Sequence, residues 1–246
     1  MKTHAPTLVL DDWKGRHNLC QTAMVRLEKA GAYKDLSTVC LVPTRGMIHA
    51  RVVQSWMSLM PPMNQKFIRI FVLGMEVGAA YQTTVENILG NPELAKWKYL
   101  LTLEEDNMPP PDGLLKLCES IDGGVDGEKY DAMGGLYWTK GEGGQPMIYG
   151  DPAAFPMNFI PQIPRSETVQ RCNGLGMGFT LFRLGLFKKM PKPWFKTMQE
   201  WVPGKGLGAF TQDLFFFNEA AKKGMRFACD TRVKVGHYDA EHDIVW

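Results

Sequence analysis

Nowhere in this chain do two cysteines stand in a CxxC pair; its five, Cys20, Cys40, Cys118, Cys172 and Cys229, are scattered and odd in number. That distribution argues against a disulfide framework and for reduced thiols in a cytosolic setting. No apolar run approaches the roughly 18 to 20 residues that span a bilayer. The opening stretch MKTHAPTLVLDDWKGRH has too short an apolar run and the wrong flanks for a signal peptide. These absences lead to the expectation of a soluble protein of the cytoplasm, the host's if the chain is phage-encoded, with no membrane partner. A surplus of charge is lacking as well: the formal net charge of +2 gives no broad field for or against nucleic acid. Also missing are a Walker loop, a dinucleotide glycine fingerprint, any internal repeat and any low-complexity tract.

What is present is a chain of 246 residues, 45% of them hydrophobic, enough to bury a sizeable core. Apolar β-rich runs alternate with helical patterns. Thr38 to Pro43, Phe67 to Leu73 and Tyr99 to Leu103 read as strands. Met47 to Met60, Val77 to Leu89 and Gly113 to Ile121 read as helices. The alternation predicts an α/β fold, a mostly parallel central sheet flanked by helices with right-handed crossovers. Residues 1–36 read as an extension packed on the core, with an apolar run at Leu8 to Leu10 and a helix from His17 to Ala30. Residues 37–246 read as one compact domain whose halves, 37–130 and 131–246, divide where the character changes. The second half is loop-rich, with a helix near Leu184 to Lys189, another over Thr211 to Lys223, and strands over Met225 to Asp230 and Val233 to Tyr238.

The most informative stretch is YLLTLEEDN, Tyr99 to Asn107, where an apolar strand stops on Glu104, Glu105 and Asp106. Ligands in open α/β sheets bind at the carboxyl ends of strands, so acidic chemistry belongs there. Strand alternation would put Glu104 and Asp106 on one side, about 6 to 7 Å apart, a spacing suited to one hard cation or a sugar hydroxyl. The plain structural reading is a solvated acidic turn before the next helix. Pro109, Pro110 and Pro111 then forbid further strand pairing.

Four other places invite chemistry. Pro43-Thr44-Arg45-Gly46 opens onto a helix start, a natural anion seat, or else an ordinary turn with an exposed arginine. Asp213, at a helix start, is either a cap or a general base for an acceptor hydroxyl. His237 ends a late strand, where a lone histidine is more often structural; with Asp239 and His242 it forms an alternative cluster, HxDxxH. The glycine-rich segments Gly135 to Gly150 and Cys172 to Phe179 allow close backbone approach to a ligand, and Tyr137, Trp138 and Trp194 offer flat faces for stacking. Each of these aromatics can equally belong to the core.

Taken in order, these pieces resemble a GT-A nucleotide-sugar glycosyltransferase of the bacterial and phage type, over about residues 36–240. The residues that carry the likeness are LVPTRG (Leu41 to Gly46), Glu104-Glu105-Asp106 in place of an aspartate–any–aspartate motif, CNGLGMGFTLF, Asp213 and Val235-Gly236-His237. Two departures stand out: Glu104 where aspartate is usual, and Gln212 where many relatives carry a second acid. The resemblance implies a hexosyltransferase that uses Mn2+ or Mg2+ and a nucleoside-diphosphate sugar, UDP-sugar favoured. It implies Glu104, Asp106 and His237 at the metal, and Thr44, Arg45, Glu76 and Glu104 around the donor nucleoside. Trp138, Lys140, Gly174, Gly176 and Gly178 would shape the sugar and acceptor pockets, with Asp213 as base. The acceptor is open; hydroxylated bases in DNA are one class, and Lys188, Lys189, Lys192 and Lys196 interleaved with Trp194 and Phe195 are compatible with a phosphate backbone and stacking. Two rivals remain: a metal-dependent phosphoester hydrolase using His237, Asp239 and His242, and a non-catalytic glycan- or nucleic-acid-binding module.

Overall fold

The computed structural model describes residues 34–202 and 206–246. The Leu8 to Leu10 run and the His17 to Ala30 helix of the 1–36 extension lie outside the described residues. In chain order the elements are β1 (Thr38–Thr44), α1 (Ala50–Ser58), β2 (Phe67–Leu73), α2 (Val77–Gly90), β3 (Tyr99–Leu103), β4 (Asn107–Met108), α3 (Gly113–Ile121) and β5 (Ala132–Leu136). They continue with β6 (Ile148–Tyr149), β7 (Val169–Cys172), β8 (Gly174–Leu175), β9 (Phe179–Arg183), β10 (Met198–Val202) and β11 (Gly206–Phe210). The last are α4 (Gln212–Ala221), β12 (Phe227–Lys234), β13 (Gly236–Asp239) and β14 (Ile244–Val245). The helix expected at Leu184 to Lys189 is only a 3-10 turn, Leu184–Leu186; Pro191 and Pro193 follow too soon for a longer one.

Seven strands share one sheet in the order β2-β1-β3-β9-β5-β12-β7. Five of the seven point the same way, while β9 and β7 run antiparallel to their neighbours. Every residue of β1, β3 and β5 is buried, as expected of strands covered by layers on both faces. Side chains alternate between two cores with the period of two that a strand imposes. Val39 and Leu41 pack with Tyr81, Val85 and the aromatics of α4, and Cys40 and Val42 pack with Val52, Trp56 and Leu117 on the other face.

Topology places the crevice. From β1 the chain moves outward to β2, then returns across β1 to form β3, so the strand order reverses between the carboxyl ends of β1 and β3. Beyond β3 the chain turns out of the sheet, and β4 pairs antiparallel with β13, setting Asn107 opposite His237 and Met108 opposite Gly236. Strand pairing therefore continues past the acidic residues for two positions before the prolines stop it. Trp56 Nε1 of α1 donates to the Asn107 carbonyl at 2.8 Å and fixes that excursion.

The outer strand β2 pairs with β1 alone among the described residues. Arg69 is its one charge; it carries no proline or bulge to blunt the edge left open among the described residues, and leaves Phe71 48% and Leu73 64% exposed. Phe71→Lys is therefore expected to reduce aggregation on warming, read by light scattering, while costing about 1 kcal/mol of stability through lost packing against Trp56.

Candidate active site

Pro43, Thr44 and Arg45 from the end of β1, Met75 and Val77 from the start of α2, and Glu104, Glu105 and Asp106 after β3 line a cleft of about 240 Å3. The acidic residues do not extend the strand. Asn107 N–H donates to the Glu104 carbonyl at 3.0 Å and closes a turn, so strand alternation does not govern where the acids point. Each carboxylate takes its own course.

Glu105 reaches back to β1. One oxygen accepts from the Thr44 hydroxyl at 2.7 Å and from Arg45 N–H at 2.8 Å, and the other from Arg45 Nε at 2.5 Å. Burial pushes its pKa up, but these bonds outweigh that and hold it below the usual carboxylate range. The Arg45 side chain remains 90% exposed at the mouth of the cleft. Glu104 instead accepts from the Tyr81 hydroxyl of α2 at 3.0 Å. Burial, then the charges of Asp106 and Asp213, raise its pKa to about 7.

Asp106 Oδ2 meets two bases: Lys140 Nζ at 2.6 Å and His237 Nε2 at 3.4 Å. Burial opposes ionisation, yet those neighbours bring Asp106 down to about 2. His237 Nδ1 lies 2.7 Å from the Trp138 carbonyl. A carbonyl only accepts, so Nδ1 carries a proton, and Nε2 is the nitrogen that faces Asp106. The edge of Tyr137 packs on the imidazole, ring centres 5.5 Å apart.

Asp213 lies in the first turn of α4 and is 7% exposed. Its Oδ1 accepts from Leu214 N–H at 2.9 Å, and burial raises its pKa. It is not a solvated cap; Thr211 occupies the cap position without a side-chain cap bond. Its charge helps to raise the pKa of Glu104 and of the Tyr81, Tyr137 and Tyr149 hydroxyls, though Asp213 does not itself line the cleft. The starts of α2 and α4 abut: a Cβ at Gly78 would stand 3.2 Å from Gln212 Cβ. Two positive helix ends thus converge behind the cleft.

Several expectations change. Glu104 does not join Asp106 and His237 as a ligand; among the described residues no three histidine, cysteine, aspartate or glutamate side chains gather as a metal cluster, and Tyr81 draws Glu104 aside. Glu76 caps α2, its carboxylate bonded to Ala79 N–H at 2.8 Å and the Thr197 hydroxyl at 3.0 Å, which occupies it at the rim. Gly174, Gly176 and Gly178 are buried, and a Cβ on them would strike Phe159, the Tyr137 hydroxyl and Asn107 respectively. They admit protein rather than ligand. Trp194 and Phe195 are 3% and 4% exposed, and Tyr137 is buried too, so none of the three offers a stacking face. The HxDxxH cluster does not assemble: Asp239 holds His242 at 2.8 Å in an exposed turn while His237 faces Asp106. The hydrogen-bonding roles of Glu105, Tyr81 and the Trp138 carbonyl had no signal in the sequence, since each partner lies far away along the chain.

No family model matches the chain, and no curated protein matches it in sequence. Among solved structures it resembles the crystal structure of A197 from STIV, with a TM-score of 0.57, 17% identity, and 85% of this chain and 92% of that one covered. At that identity the likeness is one of fold, a Rossmann-like α/β sheet. It also overlaps the inositol-1-phosphate CTP transferase from T. maritima, with a TM-score of 0.41, 11% identity, and coverage of 86% and 93%, too distant to carry an argument. Among the described residues no helix is long and apolar enough to cross a membrane.

The raised pKa of Glu104 carries a sign. Its folded value of about 7 exceeds the ordinary 4.5, so the folded chain binds the extra proton and stability falls as pH rises through that window. In metal-free protein, Glu104→Gln is expected to raise Tm by a few degrees at pH 8 and by much less at pH 5, as read by thermal denaturation at both.

Proposed function

We propose that the chain is a GT-A-type glycosyltransferase that moves a hexose from a nucleoside-diphosphate sugar, UDP-sugar favoured, to a hydroxyl acceptor. The observation that carries this reading is the meeting of Asp106, which lines the switch-point cleft, with His237, whose Nε2 lies 3.4 Å from Asp106 Oδ2. A carboxylate oxygen and an imidazole nitrogen at that distance can share a proton or a metal ion, and Lys140 Nζ, 2.6 Å from the same oxygen, would yield its place to the ion. One oxygen and one imidazole nitrogen suit Mn2+ or Mg2+, the nitrogen favouring Mn2+, with the remaining positions left to phosphate oxygens and water. Asp106 and His237 would hold the ion, which supplies charge stabilisation to the departing diphosphate.

The chain's own groups supply the rest. Lys140 sits within reach of the same phosphates, and the paired starts of α2 and α4 favour anions in front of them. Thr44 and Arg45, fixed by Glu105, border the nucleoside, with Glu76 at its rim and Glu104 toward the donor ribose. Trp138 and Lys140 border the sugar. In an inverting displacement Asp213 takes the proton of the acceptor hydroxyl while the new glycosidic bond forms and the bond to diphosphate breaks; in a retaining one it positions the acceptor. The acceptor panel includes hydroxymethylated DNA, although the buried Trp194 and Phe195 withdraw the stacking platform that favoured it.

Thermal shift with nucleoside diphosphates tests the reading. UDP is expected to stabilise the protein in the presence of Mn2+, and Asp106→Ala to remove the metal-dependent part. Asp213→Asn should keep nucleotide binding and lower kcat by about 10² to 10⁴. Turnover of simple phosphate esters without an acceptor would establish a hydrolase instead. Indifference to metal and nucleotide together would leave a binding module.

A further inference from the structure

Between β6 and β7 the chain throws out a proline-rich segment, residues 151–163, whose apolar side chains turn to solvent. Phe155 is 99% exposed, Ile163 89%, Ile160 68% and Met157 41%. Scattered exposed apolar residues are ordinary; four on one short segment mark a contact surface. The segment is held in this form at its base. Gly150 N–H donates to the Ile160 carbonyl at 2.8 Å, Gln162 Nε2 to the Gly150 carbonyl at 2.6 Å, and Asn173 Nδ2 to the Asn158 carbonyl at 2.9 Å. Pro152, Pro156 and Pro161 restrict the backbone further, so the side chains cannot readily fold inward.

The charges around this tip say what it meets. Arg165 follows it directly, and Arg171 lies with Pro152 at a small cleft at its base. Both arginines are exposed, and neither forms an ion pair among the described residues. The nearby acids are Asp151, exposed but accepting from Ala153 N–H at 2.9 Å, and Glu167, which pairs with Lys234 at 3.0 Å. Apolar side chains projecting ahead of unpaired arginines match a membrane interface, where the tip enters the acyl boundary and the cations meet anionic headgroups. A protruding tip suits lipid better than a protein groove.

We propose that residues 153–163 seat this protein on an anionic lipid surface. The base of the segment adjoins the site: Tyr149, bridged to Pro161 and paired with β8, lies within the field of Asp213. Where the inference rests on the transferase reading, it narrows the acceptor to an amphiphile whose hydroxyl is displayed at that surface.

Flotation of the full chain with unilamellar vesicles tests this without nucleotide, so its failure is distinct from failure of the UDP and Mn2+ thermal shift. Vesicles of phosphatidylcholine and phosphatidylglycerol in equal parts are expected to carry the protein up the gradient, and vesicles of phosphatidylcholine alone to carry far less. Phe155→Ser with Ile163→Ser should lower the bound fraction about tenfold without changing Tm. Arg165→Glu with Arg171→Glu should erase the preference for anionic vesicles. Wild-type protein that stays unbound with both vesicle types overturns the proposal, as does binding indifferent to the Phe155 and Ile163 substitutions. So does a dimer in solution that those substitutions dissolve when no vesicle binding is seen, since the surface would then be a contact between copies.

Discussion

Four carboxylates crowd the end of an apolar sheet, and the cost of burying their charge, increased at Glu104 by its acidic neighbours, is the constraint to which the surrounding structure answers. Glu105 is neutralised outward, by Arg45 and the Thr44 hydroxyl. Asp106 is neutralised by Lys140, with His237 facing the same oxygen. Glu104 is left without a cation and is driven toward its protonated form. Asp213 sits in the first turn of α4, where helix polarity favours an anion but burial opposes one. One motif thus yields carboxyl groups of sharply different acidity a few residues apart, as a site that handles both charge and protons requires.

Packing, not loop flexibility, delivers this arrangement. The β4–β13 pairing brings His237 beside Asp106, and the Trp138 carbonyl and Tyr137 ring set its orientation. Tyr137 in turn fits only because Gly176 has no side chain, and its hydroxyl accepts from Gly178 N–H at 2.8 Å. The glycines therefore act on the site at one remove, by letting a tyrosine lie against the imidazole. His237 is also tied through its backbone to Trp246, N–H to carbonyl in both directions at 3.0 Å.

Much of the fold was legible because its central strands are short, apolar and punctuated. Phe67–Leu73, Tyr99–Leu103 and Gly113–Ile121 fall where periodicity put them. Strand β9 was harder to read, since CNGLGMGFTLF looks like a loop until its glycines are seen to admit Tyr137 and Asn107. The candidate site was legible as residue types, Asp106, His237 and Asp213 above all, because acids gathered where an apolar strand ends point to the mouth of the sheet, although a cap reading stayed open for Asp213. Partners were not legible. Nothing local in the sequence says that Glu105 turns to Arg45, that Tyr81 holds Glu104, or that Trp194 turns inward; each is decided by contacts between segments far apart in the chain.

The clasp between Glu105 and Arg45 has one more consequence. It stands at the cleft mouth with a guanidinium almost wholly in water, whereas Asp213 works from a dry recess. Dissolved ions screen the first and hardly reach the second. Ionic strength thus becomes a dial on the outer rim alone; under the proposed transfer reaction it would loosen the hold on a nucleotide and leave the buried carboxyl group of Asp213 as it was.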